Sequence, residues 1–298
     1  MSVIVESWFI PLDILRIICT TSVIGLSVFS LFVIVRDKTC HTIPMMLTAN
    51  SFLVAITSGS VTLSMAVFTL RNDLKRIQYQ DSNCILRGYF TYVSSALQYY
   101  SYLLNAIYRY LTVVYPARLF WRSFRTQIFL IILKWIFSFV YCLPFLFTSA
   151  IVYNVDNQVC QTPLRFSFIT LYGALCCYII PVSMIMLIYM KLVLYVHRMK
   201  QRVTPINTFN RAQKDLKMVH QIVIIIQMLL LICFPFILFI LMSFFTTPPK
   251  YHFRIAFTCA DIALVTVTIA LFQFTDPLKA SVKKLLNHQE NRVISAIA

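Results

Sequence analysis

Long apolar runs separated by short polar connections make up most of the chain. Seven of these runs reach ~20 residues, the length a helix needs to cross a bilayer. They are Leu12–Val35, Pro44–Leu70, Cys84–Val114, Gln127–Ala150, Arg165–Val196, Leu216–Phe245 and Phe253–Pro277. The first run is longer than the apolar core of a signal peptide, and no basic stretch precedes it, so it reads as a true span. The pattern predicts an all-α membrane protein, a bundle of seven transmembrane helices without internal repeats. Residues 1–11 form a short leading segment, 12–277 the bundle and 278–298 a tail.

Composition agrees with a bilayer setting. Of 298 residues, 59% are hydrophobic and only 12% charged, against about 25% charged in soluble domains. The net charge of +16 would suit nucleic acid, but the basic residues lie in clusters between apolar runs. That arrangement favours membrane loops and argues against a nucleic-acid partner. One set of connections holds Arg36, Lys38, Arg118, Arg122, Arg125, Arg198, Lys200, Arg202, Arg211, Lys214 and Lys217, with Lys279, Lys283, Lys284 and Arg292 in the tail. The other holds Arg71, Lys75, Arg76, Arg165, Lys250 and Arg254. The richer set is expected in the cytosol, with the N-terminus outside and the C-terminus inside.

The five histidines all lie at or near loops or span ends, which argues against a zinc-dependent membrane hydrolase. An enzyme is not expected, nor is any metal or cofactor. Absent repeats and few intramembrane charges argue against a transporter. Six cysteines fall within spans and read as small buried apolar residues, and Cys40 falls in a cytosolic loop. Cys84, at the outer mouth of the third span, and Cys160, in the loop after the fourth, both face the oxidising side. They are expected to form a disulfide, the alternative being two free thiols.

The order and spacing of several residues resemble the rhodopsin-like (class A) G-protein-coupled receptors. Arg109 and Tyr110 resemble the family's Asp-Arg-Tyr signature, and Cys84 stands twenty-five positions earlier, where the family has its bridging cysteine. Pro116, Trp135 with Pro144, Pro181 with Tyr189, and Pro235 match the family's marks on successive spans and the second inner loop. Asp276 and Pro277 resemble the start of its Asn/Asp-Pro-x-x-Tyr motif, and Ser281–Leu286 its amphipathic eighth helix. The resemblance implies a plasma-membrane receptor that passes an extracellular ligand signal to a heterotrimeric G protein. Arg109 and Tyr110, with Tyr189 and Asp215, would form the switch.

The chain also departs from the family. Tyr108 replaces the acid before Arg109, and Asp215 is the acid left to hold that arginine. Ser27, Ala55 and Gln98 stand at or near the central sodium site, leaving Asp276 as its one carboxylate. Cys233 replaces the toggle tryptophan and Ala280 the closing tyrosine, so a relative that scavenges ligand or does not signal stays open. Thr91 stands where amine receptors carry an aspartate, and Ala270 where opsins carry a lysine. An amine or retinal ligand is therefore not expected. Arg87, Thr91, Tyr92, Ser95, Tyr99 and Asp261 are candidates for a ligand pocket, a short peptide being the suggested ligand. Helix packing is the competing reading for each tyrosine. Arg87 is placed either to pair with Asp261 or to meet a charged ligand terminus.

Overall fold

The computed structural model describes residues 6–115, 119–164, 167–201, 234–246 and 249–285. Three long helices come first: α1 (Phe9–Arg36), α2 (Ile43–Lys75) and α3 (Cys84–Val114). Then come α4 (Phe124–Phe147) and a hairpin of β1 (Val152–Asn154) and β2 (Val159–Gln161). A short helix α5 (Phe168–Ala174) runs through a π-helical stretch, Leu175–Ile179, into α6 (Ile180–Gln201). The described chain ends with α7 (Phe234–Phe245), α8 (His252–Phe274) and a helix over 276–285. The sixth expected run lies largely outside the described residues.

Among the described residues, five helices are long and apolar enough to span a membrane: Phe9–Arg36, Ile43–Lys75, Phe124–Phe147, Phe168–Tyr195 and His252–Phe274. Helix α3 has comparable length, 31 residues, but carries hydroxyl and amide side chains throughout. It sits centrally, packed on α2, α4, α6 and the hairpin, which gives those side chains partners. Large apolar residues such as Ile18, Val35, Phe129 and Ile136 point outward, as expected of a lipid-facing surface. Hydroxyls within the spans mostly bond back one turn: Thr21 to Ile17 O at 2.7 Å, Ser30 to Leu26 O at 2.8 Å. Such bonds satisfy polar groups that lipid cannot.

Helix ends follow local chemistry. Asp37 leaves the helical region (φ −96°, ψ 111°), and its side chain accepts from Thr39 N–H, capping the 3-10 turn Lys38–Cys40. That bond, with the hydroxyls of Ser281 and Thr39, holds the Asp37 carboxyl down at about 2. Pro44 opens α2, where a missing N–H costs nothing. At its other end Arg76 takes a left-handed conformation (φ 52°) and bonds back to Asn72 and Asp73 carbonyls. In the hairpin, Tyr153 pairs with Cys160 and Val152 with Gln161.

Candidate functional site

Two ends of the bundle carry the candidate residues. At one end Cys84 and Cys160 are joined by a disulfide, as expected, with Cα atoms 5.5 Å apart. The bond fixes β2 on the first turn of α3. Gly88 makes this approach possible. A Cβ there would lie 2.5 Å from the Cys160 carbonyl oxygen and 2.8 Å from Ile151 Cγ2. A helical glycine followed by a bridged loop carried that signal in the sequence, but only the docked hairpin reveals the need for it.

The tyrosines of α3 mainly hold neighbours. Tyr92 stacks on Phe145 (4.4 Å, 2° between planes), and its hydroxyl pairs with the Thr162 hydroxyl while accepting from Thr162 N–H. Tyr89 donates to Phe139 O at 2.9 Å and Tyr100 to Cys176 O at 3.0 Å. Tyr99 is buried edge-on to Tyr178. Thr91 and Ser95 donate to the carbonyls of Arg87 and Thr91, both at 2.9 Å. A cavity of about 10 Å³, room for one water, lies between α2, α3 and β2, lined by Met65, Phe68, Arg87, Gly88, Gln158 and the disulfide.

Arg87 does not pair with Asp261. It bonds Asp81 at 2.9 Å and lies over the Phe68 ring at 4.2 Å. The Asn83 backbone N–H is the main cause that keeps the Asp81 carboxyl ionised below its ordinary range. Asp261 instead accepts from Arg16 Nε at 2.9 Å, across the bundle on α1. This pair belongs to a larger group. Asp13 contacts Arg16 and Arg254, each at 3.5 Å, and Asp73 takes both terminal nitrogens of Arg254 at 2.6 and 3.0 Å. All five side chains are at most 1% exposed. The hairpin closes over them: Gln158 donates to Asp73 at 2.8 Å, and the Arg254 backbone N–H donates to Asn157.

The reading of few intramembrane charges therefore needs correction. Each apolar run tolerates one or two charges in a hydropathy window, so Asp13, Arg16, Arg254 and Asp261 are invisible singly, and only the fold brings them together. Lys134 was missed in the same way. It is buried in α4 and donates to Ser101 at 2.6 Å and Asn50 at 3.3 Å. Asn50 also accepts from the Trp135 indole at 3.0 Å, which places Trp135 in a polar knot between α2, α3 and α4.

The opposite end holds the second group. Tyr110 and Tyr189 pack in one cluster with Val113 and Leu192, joining α3 to α6 near Arg109. Tyr108, in place of an acid, is buried against Leu47 and Leu104. Asp276 is exposed and pairs with Lys279 at 2.9 Å, so it does not enter a central cation cage. Pro277 starts the helix over 276–285, whose Ser281 meets Cys40 Sγ at 3.2 Å and thereby touches the α1–α2 connection. Pro181 lies in the first turn of α6 and Pro235 in the first turn of described α7. Pro116, Asp215 and Cys233 lie outside the described residues.

A family model for seven-transmembrane receptors of the rhodopsin family matches residues 28–276. A comparison with curated proteins finds no match. Among solved structures, squid rhodopsin superposes with a TM-score of 0.76 at 16% identity, covering 94% of this chain and 86% of that one. At that identity the likeness speaks for the fold, while the family match spans most of the chain. Taken with the apolar spans and the bridged hairpin, these findings show that the chain belongs to the rhodopsin family of seven-transmembrane receptors.

Proposed function

We propose that this receptor passes an extracellular signal to a heterotrimeric G protein at the plasma membrane. The disulfide end faces outside and the end bearing Arg109 faces the cytosol. The observation that carries this reading is the joining of Tyr110 and Tyr189 in one cluster beside Arg109, at the end of the bundle opposite the disulfide. Two helices that share such a contact can exchange it when they separate, which makes a two-state element. A ligand acts only by binding one state better than the other. Thr91, bonded to its own helix, and Ala270 speak against amine and retinal ligands, so a peptide stays the proposed class. Family and fold are those of receptors and not of enzymes.

The burial of Tyr108 favours a second reading. With Tyr108 standing where the family's acid precedes Arg109 in the sequence, Asp215 is the proposed resting lock, and a receptor that binds ligand without coupling is the alternative. The test is basal G-protein activation in cells at matched surface expression. Arg109→Ala is expected to lower it several-fold and Asp215→Ala to raise it. A wild type and variants that all stay silent, with and without a peptide library, would favour the uncoupled reading.

A further inference from the structure

Among the described residues, the five buried charges at the disulfide end do not balance. Three carboxylates, Asp13, Asp73 and Asp261, meet two guanidiniums, Arg16 and Arg254. The basic side chains around Asp73, Arg71 and Lys75 of α2 and Arg76 just beyond it, are exposed and do not enter the group. Lys250 is engaged with Asp156 at 3.4 Å. An excess buried charge away from water is costly, and the usual remedy is to neutralise it.

The geometry shows which carboxylate carries the excess. Asp73 receives two short bonds from Arg254 and a third from Gln158. Asp261 has the 2.9 Å bond from Arg16 Nε on one oxygen, its Oδ1 being unbonded, so contact length is what separates it from Asp13. Asp13 has only two contacts, both at 3.5 Å, and its Oδ1 has no hydrogen-bond partner. It faces Arg16 from its own helix, Thr69 and Asp73 from α2 and Arg254 from α8. The Thr69 hydroxyl already donates to the carbonyls of Met65 and Ala66. Tyr153 of β1 and Cys19 of α1 are the other titratable groups near the cluster, facing Arg254 with Asp73 and Asp261 respectively. An independent sign of a missing small partner comes from the roof. Gln158 is 2% exposed, and its Oε1 is unbonded although its amide holds Asp73. The same Gln158 also lines the small cavity between α2, α3 and β2 beside the disulfide.

We propose that this cluster is a proton-binding site, that Asp13 takes up the proton, and that the closed arrangement of α1, α2, α8 and the hairpin is the protonated, charge-balanced form. The step is a simple association: a proton from water binds a carboxylate oxygen of Asp13, and the cluster goes from one net negative charge to none. No other bond is made or broken. Alkaline conditions then weaken the closure, and acid outside the cell favours it. The inference does not depend on G-protein coupling.

The test is the thermal unfolding of the purified full-length receptor between about pH 5 and about pH 8. The folded state holds a proton that the unfolded chain has already released at neutral pH. Stability is therefore expected to fall as pH rises, by up to about tenfold in the folding equilibrium per pH unit. Asp13→Asn keeps the shape and removes the titration, so its profile is expected to lose that slope. A flat wild-type profile, or an Asp13→Asn profile with the full wild-type slope, would overturn the proposal. Infrared difference spectra of the wild type with labelled aspartate serve if the variant does not fold: a protonated carboxyl band that fades over this range supports the site, and its absence sinks it. Sodium chloride against choline chloride at fixed pH separates a second ligand. Stabilisation by sodium without any proton slope would make this a cation site and end the proton reading.

Discussion

Single side chains decide more here than composition suggests. Gly88 is one of only four glycines, and its missing Cβ is what lets the Cys160 carbonyl reach α3. Gly88→Ala pushes the hairpin off the helix, and we expect reduced surface expression and a Tm several degrees lower in the purified protein, a loss of about 1–3 kcal/mol. Lys134 points the other way. Its amine is buried with neutral partners only among the described residues, and those partners keep other bonds: Asn50 with Trp135 and Ser101 with Asn50. Lys134→Met is therefore expected to raise the Tm, by the equivalent of about 1 kcal/mol, since a flexible apolar chain replaces a desolvated amine. Asp37 illustrates pH at a loop. Its carboxyl is depressed to about 2, so its contribution is complete above the ordinary carboxylate range and lost as pH falls from about 4 toward about 2. The stability gap between Asp37→Asn and wild type should close over that acid window.

Among the elements, legibility followed the chemistry of the helix faces. Runs such as those of α1, α4 and α8 announced themselves because lipid-facing helices are apolar nearly all round. Helix α3 was legible as a long run with Cys84 and Arg109 near its ends, yet it is less apolar than the others, because a central helix can hide polar groups against its neighbours. Tyr92 and Tyr99 of α3 stand as candidates for a binding wall, while their neighbours Tyr89 and Tyr100 donate to backbone carbonyls on α4 and the π-helical stretch. The π-helical stretch and the hairpin had no clear sequence signature, since one depends on packing and the other on a bridge between distant residues. Arg76 closes α2 with a positive φ that glycine adopts at no steric cost. Arg76→Gly should leave the helix end in place and change stability by less than about 1 kcal/mol, measurable as an unchanged or slightly raised Tm.

For the molecule as a whole, the two ends were unequally readable. The end bearing Arg109 was legible as a row of spaced landmarks, and the cluster of Tyr110 with Tyr189 is consistent with it. The charge cluster was not legible, because its members come from three helices separated by more than two hundred residues between Asp13 and Arg254. A chain-wise search sees each as an isolated charge in an apolar run.

The Cys84–Cys160 bond also has a kinetic consequence. A hairpin anchored to α3 stays near its seat after Gln158 and Asn157 let go, so reclosing is an intramolecular event at high effective concentration. The roof is therefore expected to act as a tethered latch whose open intervals are brief. Cutting the tether with a reductant, or by Cys84→Ser with Cys160→Ser, should lengthen the open intervals and speed hydrogen exchange at Arg254 N–H, whose acceptor is Asn157 in the roof.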